Sequence, residues 1–215
     1  MSWPHPRTPE RIVRASIELV DEEGLDALSM RKLARRLGVE AMSLYHHVRS
    51  KEALLDLMVD RIFDGVEIKL DEERWQDQMA NGMTALREGL MAHPNLLPVV
   101  ATRPVMSVDT MGLVELALAA LIDVGFTLER ARQVVTVLVS FVVGHALTEA
   151  GASPMIFDGY DRETVATFRH SINREDLPLV ASTIGTTPDD REAEFQLGVK
   201  CLVQGISAEL EHGQI

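Results

Sequence analysis

Six cations, Arg31, Lys32, Arg35, Arg36, Arg49 and Lys51, fall between Ser29 and Lys51, opposed by the single acid Glu40. That local balance of +5 sits in a chain whose formal net charge is −12. Hydroxyl and imidazole groups are interleaved with them: Ser29, Ser43, Tyr45, His46 and His47. Cations of this density neutralise phosphate, and the interleaved donors can bond phosphate oxygens or base edges. A solvated helix face beside a buried one explains the charge alone equally well, so the spacing has to decide. Catalysis finds no support. His46 and His47 are adjacent and point to different helix faces, unlike an i, i+4 chelating pair. The chain has no HExxH, no P-loop, no GxSxG and no glycine-rich dinucleotide loop. No catalytic residue, cofactor or metal ligand is assigned.

The spacing predicts two short helices joined by a tight turn. Ser29 caps the first, because its hydroxyl can accept from free N–H groups one turn on. Met30, Leu33, Ala34 and Leu37 recur at helical spacing and form one apolar face. Gly38 stands where a helix end needs positive φ, and Val39 plugs the angle between the helices. Glu40 to His46 form the second helix, with Leu44 turned inward. Such a pair is a helix-turn-helix, whose second helix enters the major groove of DNA. Thr8-Pro9 starts an earlier helix that runs to about Glu23 and ends at Gly24. Ser50 caps the next, over residues 51–66, which joins this head to the rest of the chain.

The segment from Thr8 to Leu55 resembles the DNA-binding head of the TetR (tetracycline repressor) family. The matching residues are Arg31-Lys32-Leu33-Ala34, Leu37-Gly38-Val39-Glu40, Leu44-Tyr45, His47-Val48, and Lys51 with Ala53-Leu54-Leu55-Asp56. The resemblance implies that Arg31 reaches DNA and that Tyr45, His47 and Lys51 contact phosphate. Ala41, Met42, Ser43 and His46 are the base-facing side chains expected of the second helix. With Ser29 they complete the candidate DNA-binding set.

The remaining residues, 67–215, read as an all-α body. Trp75, Met79, Met83, Leu86 and Leu90 mark a helix that stops near His93-Pro94. Thr102-Arg103-Pro104 is a loop. Met111 to Val124 is a helix ended by Gly125, and Thr127 caps a long one to about Ala150. Asp161 to Arg169 is read as a short helix, residues 171–186 stay unassigned, and Thr187-Pro188 starts the last helix. Helices 127–150 and 187–211 have apolar surface to spare, which suits a four-helix interface between two copies. The fold class is therefore all-α. A three-helix head (1–50) is joined by a linking helix (51–66) to a helical effector-binding and dimerisation body (67–215). Residues 1–66 carry a balance of −1 and the rest −11, so the body should point away from DNA.

Cys201 is the only cysteine, so no intrachain disulfide can form. The N-terminus lacks the pattern of a signal peptide. The most apolar run, Val134 to Leu147, is too short to span a bilayer. A cytoplasmic protein with no membrane partner is expected.

The body also resembles the tetracycline repressor branch, through Trp75-Gln76-Asp77, Thr102-Arg103-Pro104, Gly125-Phe126, Leu128-Glu129 and Gly144. The resemblance implies that residues 102–104 border an effector pocket and shift when it fills. It also puts Val99 and Ser140 where that branch has histidine ligands, and Glu67 and Gly82 where it grips the drug. None of the four matches, so a magnesium-bound tetracycline is not expected. The expected pocket is apolar and Met-rich, from Met79, Met83, Leu86, Leu90, Val99, Arg103, Met111, Val137 and Phe141. The sequence thus reads as a transcriptional regulator, most simply a repressor, that binds palindromic double-stranded operator DNA as a homodimer and is released by a small molecule. The alternative is a helical small-molecule-binding protein whose head does not bind DNA specifically. Loss of the basic residues would signal it, but Arg31, Arg49 and Lys51 are present.

Overall fold

The structure, a computed structural model, describes residues 9–66, 74–151, 162–173, 175–183 and 190–211. Among these residues every regular element is a helix. They are α1 (Pro9–Glu23), α2 (Met30–Leu37), α3 (Ala41–Tyr45), α4 (Lys51–Asp64), α5 (Trp75–Met91), α6 (Leu97–Val100), α7 (Val108–Asp123), α8 (Leu128–Glu149), α9 (Arg162–Ser171), α10 (Pro178–Thr183) and α11 (Arg191–Glu211).

The head folds by local rules. In α1 the buried residues Ile12, Val13, Ser16, Leu19 and Val20 share one face. Ser16 avoids an unpaired buried hydroxyl by donating to the Ile12 carbonyl at 2.7 Å. The Ser29 hydroxyl caps α2 by accepting from the Lys32 N–H at 3.2 Å. Gly38, at φ 68°, ends it in the left-handed region. α3 is shorter than expected, because Glu40 has extended backbone and no side-chain capping bond, and His46 follows the last helical residue. Leu33, Leu44 and Val48 close the head core against α1.

α4 belongs to two cores at once. Ser50 caps it at 3.1 Å from the Ala53 N–H, and Leu54, Leu55, Met58, Val59, Ile62 and Phe63 are buried. It packs on α1 in the head and on α5, α6 and α7 in the body. A second head–body contact was not foreseen. The Asn95 amide donates to the carbonyls of Val20 and Asp21 at 3.0 and 3.2 Å, and His93 Nδ1 lies 2.8 Å from the Asp21 carboxylate.

In the body α8 packs against α5, α7 and α11. α7 begins at Val108 rather than Met111, because Ser107 caps it from outside the apolar stripe. α11 begins at Arg191, with the Asp190 carboxylate accepting from the Ala193 N–H at 2.9 Å. Thr187-Pro188 lies outside the described residues, as does Thr8. α10 occupies part of the stretch that sequence patterns left unassigned.

α8 corrects one expectation. The apolar run 134–147 is short, but the helix has 22 residues and is long and apolar enough to cross a membrane. One face of α8 is packed against the body and the rest is open. Ala131, Val134, Leu138, Val142 and Ala146 recur at helical spacing and are buried against neighbouring helices.

Candidate nucleic-acid interface and effector cavity

On the head, α3 presents Met42, 69% exposed, with Ala41 and Ser43 partly covered beside it. Tyr45, His46 and His47 follow on exposed backbone, and Arg31 and Lys51 are exposed. Ser29 lends its hydroxyl oxygen to the α2 cap and remains exposed. Thus all nine candidate residues lie in the α2–α3 unit or at the start of α4.

The six cations divide into two groups. Arg36 makes a two-pronged bond to Glu22, at 2.6 and 2.7 Å, and also approaches Glu18. Lys32 pairs with Glu23. The Arg36 bond holds the Glu22 carboxyl below its usual range and raises the guanidinium. Lys32 and Arg36 therefore brace α2 on α1. Arg31, Arg35, Arg49 and Lys51 have no ion pair among the described residues and are exposed.

A cavity of about 210 Å³ opens within the body. α5 lines it with Gln78, Met79, Gly82, Met83 and Leu86, and α8 with Val135, Leu138, Val139 and Val142. α7 contributes Thr110, Met111, Leu113, Val114, Leu116 and Ala117. Phe63 of α4, Val66 and Val105 complete the wall.

Of the nine residues expected there, Met79, Met83, Leu86 and Met111 are on the wall and five are not. Leu90 and Val99 are buried in the core. Val137 is half exposed, and Phe141 stacks on Phe195 at 5.7 Å between centroids. Both sit about 100° around α8 from Leu138 and Val142, because successive residues rotate by that angle. The 3–4 spacing identified an apolar helix but not which side of it faces the cavity. Of the four positions compared with tetracycline-binding side chains, Gly82 is on the wall, Val99 is buried elsewhere and Ser140 is exposed. Glu67 lies outside the described residues.

Arg103 points to α4 instead. Its guanidinium bonds Asp56 at 2.5 Å and Glu52, and these bonds raise its pKa. The Asp60 carboxylate accepts from the N–H groups of Met106 and Ser107, at 2.8 and 3.0 Å. Asp64 accepts from the hydroxyls of Ser107 and, at 3.1 Å, Thr110. Glu52, Asp56, Asp60 and Asp64 thus form a carboxylate ladder along one face of α4, and it holds residues 103–110. Its four-residue spacing is plain in the sequence and was the signal to find it.

Residues 12–58 match the family described as "Bacterial regulatory proteins, tetR family". Residues 69–210 match "Tetracyclin repressor-like, C-terminal domain", which covers most of the chain. The chain belongs to the TetR family. An HTH-type transcriptional regulator of Saccharopolyspora erythraea is 32% identical over 205 residues, 94% of this chain and 85% of that protein. The class D tetracycline repressor of Escherichia coli is 29% identical over 208 residues, 94% of this chain and 89% of that one. Apo ActR from Streptomyces coelicolor is 29% identical and superposes with a TM-score of 0.83, covering 98% of this chain and all of ActR. This TetR-family regulator shares their helix-turn-helix head and all-helical body.

Proposed function

We propose that this TetR-family regulator is a repressor that binds a palindromic operator as a homodimer and lets go when a small molecule fills the body cavity. Residues 1–50 would read DNA, residues 67–215 would bind effector and pair the subunits, and α4 would join them. The observation that carries this reading is that Thr110 lines the cavity and also bonds Asp64 of α4. With Phe63 of α4 and Val66 just beyond it on the same wall, an occupant at that end meets the helix that carries the head. An occupant that prefers one position of α4 shifts the head by its differential affinity for the two states. ActR has been solved with actinorhodin and with (S)-DNPA, so a close structural relative takes small molecules.

In the head, Arg31, Tyr45, His47 and Lys51 hold the duplex, while Ala41, Met42, Ser43 and His46 meet base edges. Ser29 sets the start of the first motif helix. For pairing, α8 and α11 offer Val137, Leu197 and Cys201 exposed, with open space above Gly144 and Gly205. Open space at these glycines leaves room for close approach of a second copy. The effector is largely apolar and not a magnesium-chelated tetracycline. Magnesium requires hard oxygen ligands, and no carboxylate or imidazole lines the cavity among the described residues. The protein binds its effector without transforming it, and it works in the cytoplasm, where its DNA is.

The test is binding to the duplex upstream of its own coding region, beside an unrelated duplex, across a salt series. Tight, salt-steep binding to the first, weakened in Arg31→Ala and Lys51→Ala, is the expected result. Equal, weak binding to both, followed by failure of a random-sequence selection to enrich any site, would sink the DNA-binding reading.

A further inference from the structure

The effector class can be narrowed by charge. Among the described residues, no Lys, Arg, His, Asp or Glu contributes to the cavity wall. The polar side chains there are Gln78 and Thr110, and the Thr110 hydroxyl already donates to Asp64. A charge drawn past the mouth into the apolar part of this space loses hydration and meets no counter-charge among the described residues, which costs far more than burying a neutral molecule of the same shape. An anion is further disfavoured by the Asp64 carboxylate one hydroxyl away and by the acidity of the chain, −12 overall. The volume, about 210 Å³, exceeds the ~150 Å³ of an engineered apolar cavity that holds benzene. It suits a compact skeleton of more than one ring. Three methionines, Met79, Met83 and Met111, give the wall room to adjust to the shape.

We propose that the cavity selects an uncharged, mainly aromatic or alicyclic molecule of two or three rings, with at most one or two polar atoms, and excludes organic anions. This rests on the cavity being the effector site, and the experiment separates the two.

The probes are N-phenyl-1-naphthylamine and 8-anilinonaphthalene-1-sulfonate, which share one skeleton and differ by a sulfonate. The neutral dye is titrated into the full-length protein by fluorescence, and the sulfonate is then used to displace it. The expected result is a neutral dye that binds at least about tenfold more tightly than its anionic analogue, a gap of ~1.4 kcal/mol. Ala117→Phe, which fills the cavity, should abolish binding of the neutral dye while leaving helical circular dichroism intact. Gln78→Lys, at a partly exposed wall position that tolerates charge, should narrow or reverse the gap. Equal affinity for the two dyes, or tighter binding of the sulfonate, overturns the proposal. So does absence of neutral-dye binding. Binding that ignores both Ala117→Phe and Gln78→Lys overturns it too, since the dye then sits elsewhere. Operator release is read separately. A neutral dye that binds as expected but never weakens operator binding leaves the charge selection standing and removes the role of the cavity as a switch.

Discussion

Arg87 and Arg103 each bind two carboxylates, but they join different kinds of parts. Arg87 leaves α5 to meet Glu149 of α8 at 2.8 Å and Glu192 of α11, with its guanidinium 4.7 Å above the Phe195 ring. Its side chain is only 11% exposed and that of Glu149 17%. Arg103 leaves a loop to meet Glu52 and Asp56 of α4, whose side chains are 69% and 46% exposed. The first pair is poorly screened and backed by aromatic stacking, while the second works in water. A regulator needs both: a frame that stays put, and a join between cavity and head that can be remade at low cost.

Arg87→Ala is expected to produce the largest loss. It leaves Glu149 with little water and without its main cation, at about 2–3 kcal/mol of stability by chemical denaturation. Gly198→Ala comes next. A methyl there would lie 2.2 Å from Phe141 Cζ, so the Phe141 ring, stacked on Phe195, or the helix that carries it must shift, costing about 1–3 kcal/mol. Phe141→Leu in the same chain should recover part of that loss, and simple additivity of the two changes would show that the clash is not the cause. Arg103→Ala should cost less than about 1 kcal/mol, yet change operator affinity about fivefold or more, in the range of ordinary allosteric couplings. If its melting midpoint falls as far as that of Arg87→Ala, the distinction between frame and join is wrong.

The smallest effect concerns pH. The Arg87 bond holds the Glu192 carboxyl below the usual carboxylate range, and Arg36 does the same to Glu22. A depressed carboxylate stabilises the fold above its unfolded pKa and stops doing so as pH falls through the folded value. These two pairs should therefore add no slope between pH 8 and about pH 5, and their support should fade only below about 4.5. A stability curve that falls already between pH 7 and 6 would assign the loss to other groups.

The elements of the head were legible because each boundary is local: Ser29, Gly38 and Ser50 do in the structure what their residue types imply. The cavity was legible in composition and not in membership. Met79, Met83, Leu86 and Met111 face it, but whether Phe141 or Val142 turns inward depends on where α11 packs, which no local pattern encodes. Arg103 was expected at the pocket because its loop was. Its actual partners are a ladder of acids some fifty positions earlier: the i, i+4 spacing of those acids is visible in the sequence, but which distant cation they take is not. Charge counting also overstated the basic face, since the acids that claim Lys32 and Arg36 lie on a different helix.

That last pairing has a consequence for how the protein senses salt. Each neutralised phosphate sheds condensed counterions, and the slope of log affinity against log salt is about −0.9 per contact. In the proposed homodimer, six phosphate contacts on each head would give a slope near −11, and four on each would give one near −7. By spending two cations on its own acids, the head fixes α2 against α1 and also makes its grip on DNA less sensitive to the ionic strength of its surroundings.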